Sequence, residues 1–467
     1  MTYENISQAL ANYLAAVRFE DLPSEAVEAA KKSLLDTVGV ILAATRLGEG
    51  CRHFVELALE SGGRVESSII GFGDRVPSFM AAFANGSMAH ALDYEDTHEQ
   101  ALVHPSASTV PAALAIAEAM GAVSGRKLLA AIAVGNDLVC RLGLAAKVDP
   151  RDYGWYMPPI LGAFGAAAAA SHLLELNSEK ILSALSLTLC QATCSAELVY
   201  SPRSSVRSVR DAFSAKAGVL GALLAQRGVV GFEQPIDGAA GLYASFFRGQ
   251  YDPAILLNGL GRFFEGARVS YKPWPSCRGT HAYIETVLQW REQYGLQPTE
   301  VEEIRVRVSP LNRVLCEPPD VKQRPTTPIN AKFSLPFVIG VALVYGRVGL
   351  EHFSEEALTD EEVLAVAKKV QHYVDSSLGT KETGGGALEL RARGKVFSKE
   401  TTLAYGHPSH PMDFNTLLDK FADCARYALR PLPESTANDL AKMVFSLETL
   451  DNGTQIMSYL RSDDTCS

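Results

Sequence analysis

The chain has 467 residues, 47% of them hydrophobic and 21% charged, with a formal net charge of -10. This content supports two or three packed units and excludes intrinsic disorder. The acidic balance excludes general affinity for nucleic acid or anionic membrane, so an anionic substrate must meet positive charge gathered locally.

In chain order the first half reads as helix after helix. Within 24–44, Val27, Leu34, Leu35, Val38, Ile41 and Leu42 recur at helical spacing after a Pro23-Ser24 start signal. Segments 110–120, 126–140, 160–174, 179–200 and 211–227 read the same way. The last but one puts Cys190 and Cys194 on one helix face, as small buried hydrophobes. Much of this half is alanine, "GAFGAAAAAS" (162–171) being the extreme. Alanine favours helix and permits close approach, but each helix then buries little area, so many must pack together. Near 262 the character changes. "EEIRVRVS" (302–309) alternates Ile304, Val306 and Val308 with charged neighbours, the pattern of a half-buried strand. "KKVQHYVDS" repeats the alternation, and "ALELRARGKVFSK" reads as two strands about an Arg393-Gly394 turn. Helices over 336–345 and 360–369 fall between them. From Phe414 helical periodicity returns. The expected fold class is therefore mainly α: a large, discontinuous all-helical domain plus a smaller α+β lid domain. The expected bounds are 1–265 for the helical part, 266–398 for the lid, and 399–467 for helices returning to the first domain.

The eight cysteines are scattered without a C-x-x-C pair, which fits a reducing compartment and no structural zinc. No basic region precedes an apolar core at the N-terminus. The longest apolar run, 333–345, is shorter than the ~20 residues that span a bilayer. A cytoplasmic location without membrane attachment is expected.

Three stretches carry chemistry. "YEDTHEQALVHPSAS" (94–108) gathers Glu95, Asp96, His98, Glu99 and His104 between two apolar segments. His90, Asp93 and Thr97 fall at i, i+3 and i+7, one face of a helix extended that far. A metal would find ligands in His90, Asp93, Asp96 and His98, yet no recognised ligand spacing is present. A histidine beside a carboxylate can also serve as general acid or base, and a charged loop capping two helices is the plain alternative. In "SPRSSVRSVRDAF" (201–213), Arg203, Arg207 and Arg210 at i, i+4 and i+7 would share a face and grip a carboxylate or phosphate, or meet partner charges at the surface. In "SYKPWPSCRGTHAYIE" (270–285), Lys272 and Arg278 flank a rigid turn before a helix starting near Thr280, a setting that favours anions.

Taken together, these stretches and "LLDTVGVILA", "HPSASTVPAALAIAE", "AKAGVLGALLA" and "AKFSLPF" resemble the MmgE/PrpD family, in the family's order along most of the chain. That family includes 2-methylcitrate dehydratase, cis-aconitate decarboxylase and iminodisuccinate epimerase. The resemblance implies a homodimer with its site between the two domains and neither metal nor organic cofactor. It implies active-site roles for Asp93, Thr97 and His104, and for Lys272 in the "KPxPSC" segment. Two positions depart: Tyr156 stands where relatives carry a histidine, and Arg207 where they carry a lysine. Each of the family's reactions puts negative charge on a carbon next to a carboxylate, which prearranged cations stabilise. The expectation is a lyase acting on a small di- or tricarboxylate. Asp93, His104, Tyr156 and Lys272 would be catalytic, and Thr97, Arg203, Arg207 and Arg278 would bind substrate. Proton traffic would rest on His104, Lys272 and Tyr156. An epimerase using two groups on opposite faces of one carbon, and a polycarboxylate-binding protein without catalysis, are the alternatives.

Overall fold

The computed structural model describes residues 5–201, 203–378 and 384–461. Alanine and glycine set the spacing at its centre. The helices Ser78–His90, Pro105–Met120, Met157–Leu173 and Asp211–Gln226 pack directly on one another. A Cβ placed on Gly218 would lie 2.4 Å from the Ala167 backbone nitrogen, so no side chain fits where these two helices touch. The buried apolar residues form two clusters. One gathers residues from 6 to 269 together with Leu350 and the segment from Phe421 to Leu460. The other runs from Ala282 to Ala404. The fold is thus mainly α, with a helical body discontinuous in sequence and a smaller α+β region.

That smaller region holds a four-stranded sheet in the order Val370–Val374, Val301–Val308, Gly386–Ala392, Lys395–Thr401. The first pair is parallel and the others antiparallel. Ile304, Val306 and Val308 are buried as the alternation requires, and they face the apolar Leu335–Tyr345 and His281–Tyr294 helices.

The C-terminal helix Phe414–Arg426 lies on Ser24–Leu47. Lys420, buried, joins them: its Nζ is 2.6 Å from Asp36 Oδ1 and donates to the Tyr94 carbonyl at 2.6 Å. Among the described residues one helix, Gly125–Ala145, is long and apolar enough to cross a membrane, but 94% of its apolar window is buried inside the protein. It also carries a buried Asp137–Arg141 ion pair at 2.8 Å, which suits a core helix.

Two helical expectations fail at their ends. The helix expected over 179–200 stops at Leu189. Beyond it the chain leaves helical geometry and the Cys194 carbonyl accepts from the Tyr156 amide at 2.9 Å. Cys190 is therefore exposed and Cys194 half-buried, and they share no helix face; all seven described cysteines are free. Likewise Ser78–His90 ends before Asp93 and Thr97 can join its face. Asp93 takes a left-handed φ of 49°, which aspartate tolerates better than most residues. Thr97 instead exchanges backbone hydrogen bonds with Ser270 at 2.9 and 2.7 Å.

Candidate active site

The left-handed turn at Asp93 aims its carboxylate at the segment that starts the α+β region. Lys272 Nζ donates to Asp93 Oδ1 at 2.7 Å and to the Asp93 carbonyl at 2.9 Å, with both side chains fully buried. Burial works against the Lys272 charge, but Asp93 and Glu95 outweigh it and hold the ammonium above the ordinary lysine range. The two carboxylates thus favour the ammonium form of Lys272. The lysines that burial does push down lie close by: Lys332 to about 7 and Lys322 to about 8.

Three further donor groups converge on Asp93. The ligand atoms of His90, Asp93, Glu95 and His104 lie within 4.8 Å of one another. Glu95 Oε1 sits against His90 Nδ1 and 3.0 Å from His104 Nδ1, and Arg210 contacts His90 Nε2. Lys272 pairs with Asp93, while Arg210, which touches His90, lies 3.4 Å from Asp211. The other residues of the metal reading are elsewhere. Asp96 is held by Ser33 Oγ at 2.7 Å and by the Ser106 amide at 3.2 Å, while His98 Nδ1 accepts from the Ala101 amide.

His104 caps the Pro105–Met120 helix, with proline at the first helical position, and forms part of the wall of a cavity of about 120 Å³. Thr97, Tyr156, Arg207 and Arg278 line the same cavity, together with Cys277 and Phe333. Asp93 and Lys272 lie behind His104 and are not themselves part of that lining. Tyr156 precedes the Met157–Leu173 helix, and the Arg210 guanidinium rests 5.1 Å from its ring centre.

The cavity's arginines are not equivalent. Arg278 is spent on Glu99 at 2.8 Å and on the Tyr405 and Ala404 carbonyls at 2.6 and 2.8 Å. Arg151 donates to Asp149 at 2.7 Å. Arg207, buried, stacks 3.4 Å from the Phe333 ring centre and has no ion pair to a described residue; its Nε is buried without a partner. The shared helix face expected for Arg203, Arg207 and Arg210 does not form. The helix there begins only at Val206, leaving Arg203 exposed and outside the cavity, while Arg210 turns inward to His90.

Glu95 and Phe333 were within stretches the sequence singles out, yet nothing there assigned them a place at the site. Lys332 had one legible signal, a lone cation beside the apolar run from Phe333. It is fully buried, 4.0 Å from the Phe353 ring centre. A lysine held near 7 while its unfolded value is ~10.4 leaves the folded state short of a proton between those values, so stability rises with pH across that window. Lys332→Met is expected to stabilise the protein by about 2–4 kcal/mol at pH 6, a gain that fades toward pH 10. Urea unfolding at pH 6, 8 and 10 checks this; an equal gain at all three would contradict it.

Known proteins resemble this chain over most of its length. Residues 8–254 match the MmgE/PrpD N-terminal domain and residues 274–444 the MmgE/PrpD C-terminal domain. A cis-aconitate decarboxylase-like protein of Aspergillus oryzae is 28% identical, covering 78% of this chain and 79% of its own. Cis-aconitate decarboxylase of Homo sapiens is 26% identical over 99% of this chain and 95% of its own. The enzyme of that name from Aspergillus terreus is 24% identical over 97% and 96%. With both of its domain models matched in order around a cavity between the helical body and the start of the α+β region, the chain belongs to the MmgE/PrpD family.

Proposed function

We propose that the protein is a lyase acting on a small di- or tricarboxylate of the cis-aconitate type, by cleavage next to a carboxylate. The observation that carries this reading is Arg207: a buried guanidinium on the cavity wall with no ion pair among the described residues, facing the same space as His104. A charge left in that state calls for an anion, and a guanidinium grips carboxylates through two parallel hydrogen bonds. The relatives' names support a decarboxylase within that class.

In this reading Arg207 anchors a carboxylate that stays on the substrate, and Thr97, whose hydroxyl donates to the Val103 carbonyl at 3.1 Å, lines the space nearby. The bond to a second carboxylate breaks, carbon dioxide departs, and the electron pair remains on carbon, delocalised toward the retained acid. The positive charge of Arg207, prearranged in the cavity wall, stabilises that carbanion, and the Lys272 ammonium adds to it from behind His104. His104 then delivers a proton to the carbon. Arginine cannot exchange protons at ordinary pH, so Arg207 binds charge and does not shuttle it. Asp93 keeps Lys272 fixed and charged. We propose that the functional unit is a cytoplasmic homodimer that uses no added cofactor.

Proton NMR in deuterium oxide with cis-aconitate, 2-methylcitrate and iminodisuccinate tests the reading. New products, with loss of carbon dioxide or water, are expected for at least one of them, and activity should survive a chelator. Deuterium entering an otherwise unchanged carbon would replace the lyase with an epimerase. Broadened signals without either would leave a binding protein.

A further inference from the structure

We infer that Glu95 is a positioning residue for His104, fixing which ring nitrogen carries the resting proton and presenting the other to the cavity. His104 Nδ1 faces two acceptors, the Glu95 carboxylate at 3.0 Å and the Asp96 carbonyl at 3.1 Å. Neither can donate while Glu95 is ionised, so Nδ1 holds the hydrogen. Nε2 has no partner among the described residues and is left free at the cavity wall.

The second histidine fixes the state of Glu95. Arg210 reaches both His90 nitrogens, closely at Nε2 and at 3.5 Å from Nδ1; because arginine only donates, the closer contact makes Nε2 the acceptor and leaves the His90 hydrogen on Nδ1, which points at the same Glu95 oxygen. Glu95 therefore meets two imidazoles through one oxygen: it accepts from His90 Nδ1 and lies 3.0 Å from His104 Nδ1 in ion-pair contact, while the Asp96 carbonyl accepts the His104 Nδ1 hydrogen. Burial alone would raise its carboxyl, but His90, Lys272 and His104 outweigh burial and hold it well below the usual range. The rings of His90 and His104 meet edge to face at 4.9 Å, so His104 is braced on that side as well. The charged groups around it are Glu95 and Asp93 on its own loop, Lys272 from the start of the α+β region, and Arg210 from the junction before the Asp211–Gln226 helix.

This device gives His104 the behaviour that the proposed reaction demands. The neutral ring takes a proton from solvent at Nε2 before carbon dioxide leaves, the resulting imidazolium is stabilised by Glu95, and that proton passes from the same atom to the carbanion, which returns the ring to its neutral form. It is the orienting logic of a carboxylate behind a catalytic histidine. The inference rests on the reading of His104 as the group that handles the proton.

Two measurements test it separately. Nitrogen-15 NMR of the resting wild-type enzyme, with His104 signals assigned by their loss in His104→Gln, is expected to show the Nδ1–H tautomer wherever His104 is neutral. An Nε2–H tautomer overturns the inference whatever the enzyme's substrate is, because this arm needs no turnover. The second is a double-mutant cycle on a substrate that the enzyme turns over. Glu95→Gln is expected to lower kcat by ~10²-fold with KM changed less than about threefold. In a His104→Gln background the same change should cost less than about twofold. Losses that multiply in the double variant would show that Glu95 acts other than through His104. Should Glu95→Gln not fold, Glu95→Asp, which keeps the charge but shortens its reach to His104, takes its place in the cycle, and an unchanged kcat in it overturns the inference. Should no polycarboxylate be turned over, the functional reading fails while the tautomer result stands by itself.

Discussion

Lys272→Met is expected to reduce kcat/KM by ~10²–10³-fold and to destabilise the protein by about 3–5 kcal/mol. Both effects have one cause. The Lys272 ammonium is fully buried and pairs with Asp93 at 2.7 Å. Its removal takes away positive charge near the developing carbanion, and it also strands a buried carboxylate with one oxygen already lacking a partner. The two consequences can be separated. Adding Asp93→Asn to Lys272→Met removes the stranded charge, so most of the lost stability should return, because a neutral buried pair avoids the desolvation cost of both ions. Activity should not return. Thermal melts and initial rates on the same three preparations check this. Recovery of both together would mean that Lys272 serves only to keep the loop folded.

Arg207→Met is expected to move function and stability in opposite directions. A buried guanidinium without a counter-charge is costly in the free protein, and burial pushes its proton affinity below the ordinary arginine range. Methionine of similar length should therefore raise stability by about 1–3 kcal/mol. The same change removes the proposed carboxylate anchor, and kcat/KM should fall by ~10²–10³-fold, with a large part of the loss in KM. Arg207→Lys should lie between: it keeps a charge but loses the planar fork and the stacking on Phe333. A destabilised Arg207→Met with an unchanged KM would remove the anchor from the mechanism.

How much of this was legible in the sequence depended on how local each signal was. Alternation at Ile304, Val306 and Val308 reports a local backbone state, and the strand formed as expected. The return of apolar spacing after Phe414 likewise marked a helix that packs on the body. Helix ends were harder. Nothing at 190–194 announces that its backbone will pair with the loop seating Tyr156, and nothing at Arg203 says that the helix starts three residues later. The site residues Thr97, His104, Tyr156, Arg207 and Arg278 share one cavity, and Asp93 and Lys272 lie just behind it. Which arginine stays unpaired was beyond sequence reasoning, because it depends on Glu99 and two backbone carbonyls reaching Arg278 from distant positions. The same holds for Glu95. Its importance lies in meeting two imidazoles through one oxygen, a fact of three-dimensional placement.

The Lys420 anchor reaches the carbonyl of Tyr94, 326 positions earlier in the chain, and Tyr94 stands between Asp93 and Glu95. During synthesis the loop that bears the proposed machinery is therefore made early and braced late. Until the segment around Lys420 has emerged and docked, Asp36 lacks its counter-ion and the Tyr94 carbonyl lacks its donor. A chain in which the Phe414–Arg426 helix has not docked is therefore expected to hold the Asp93–Glu95 turn less firmly.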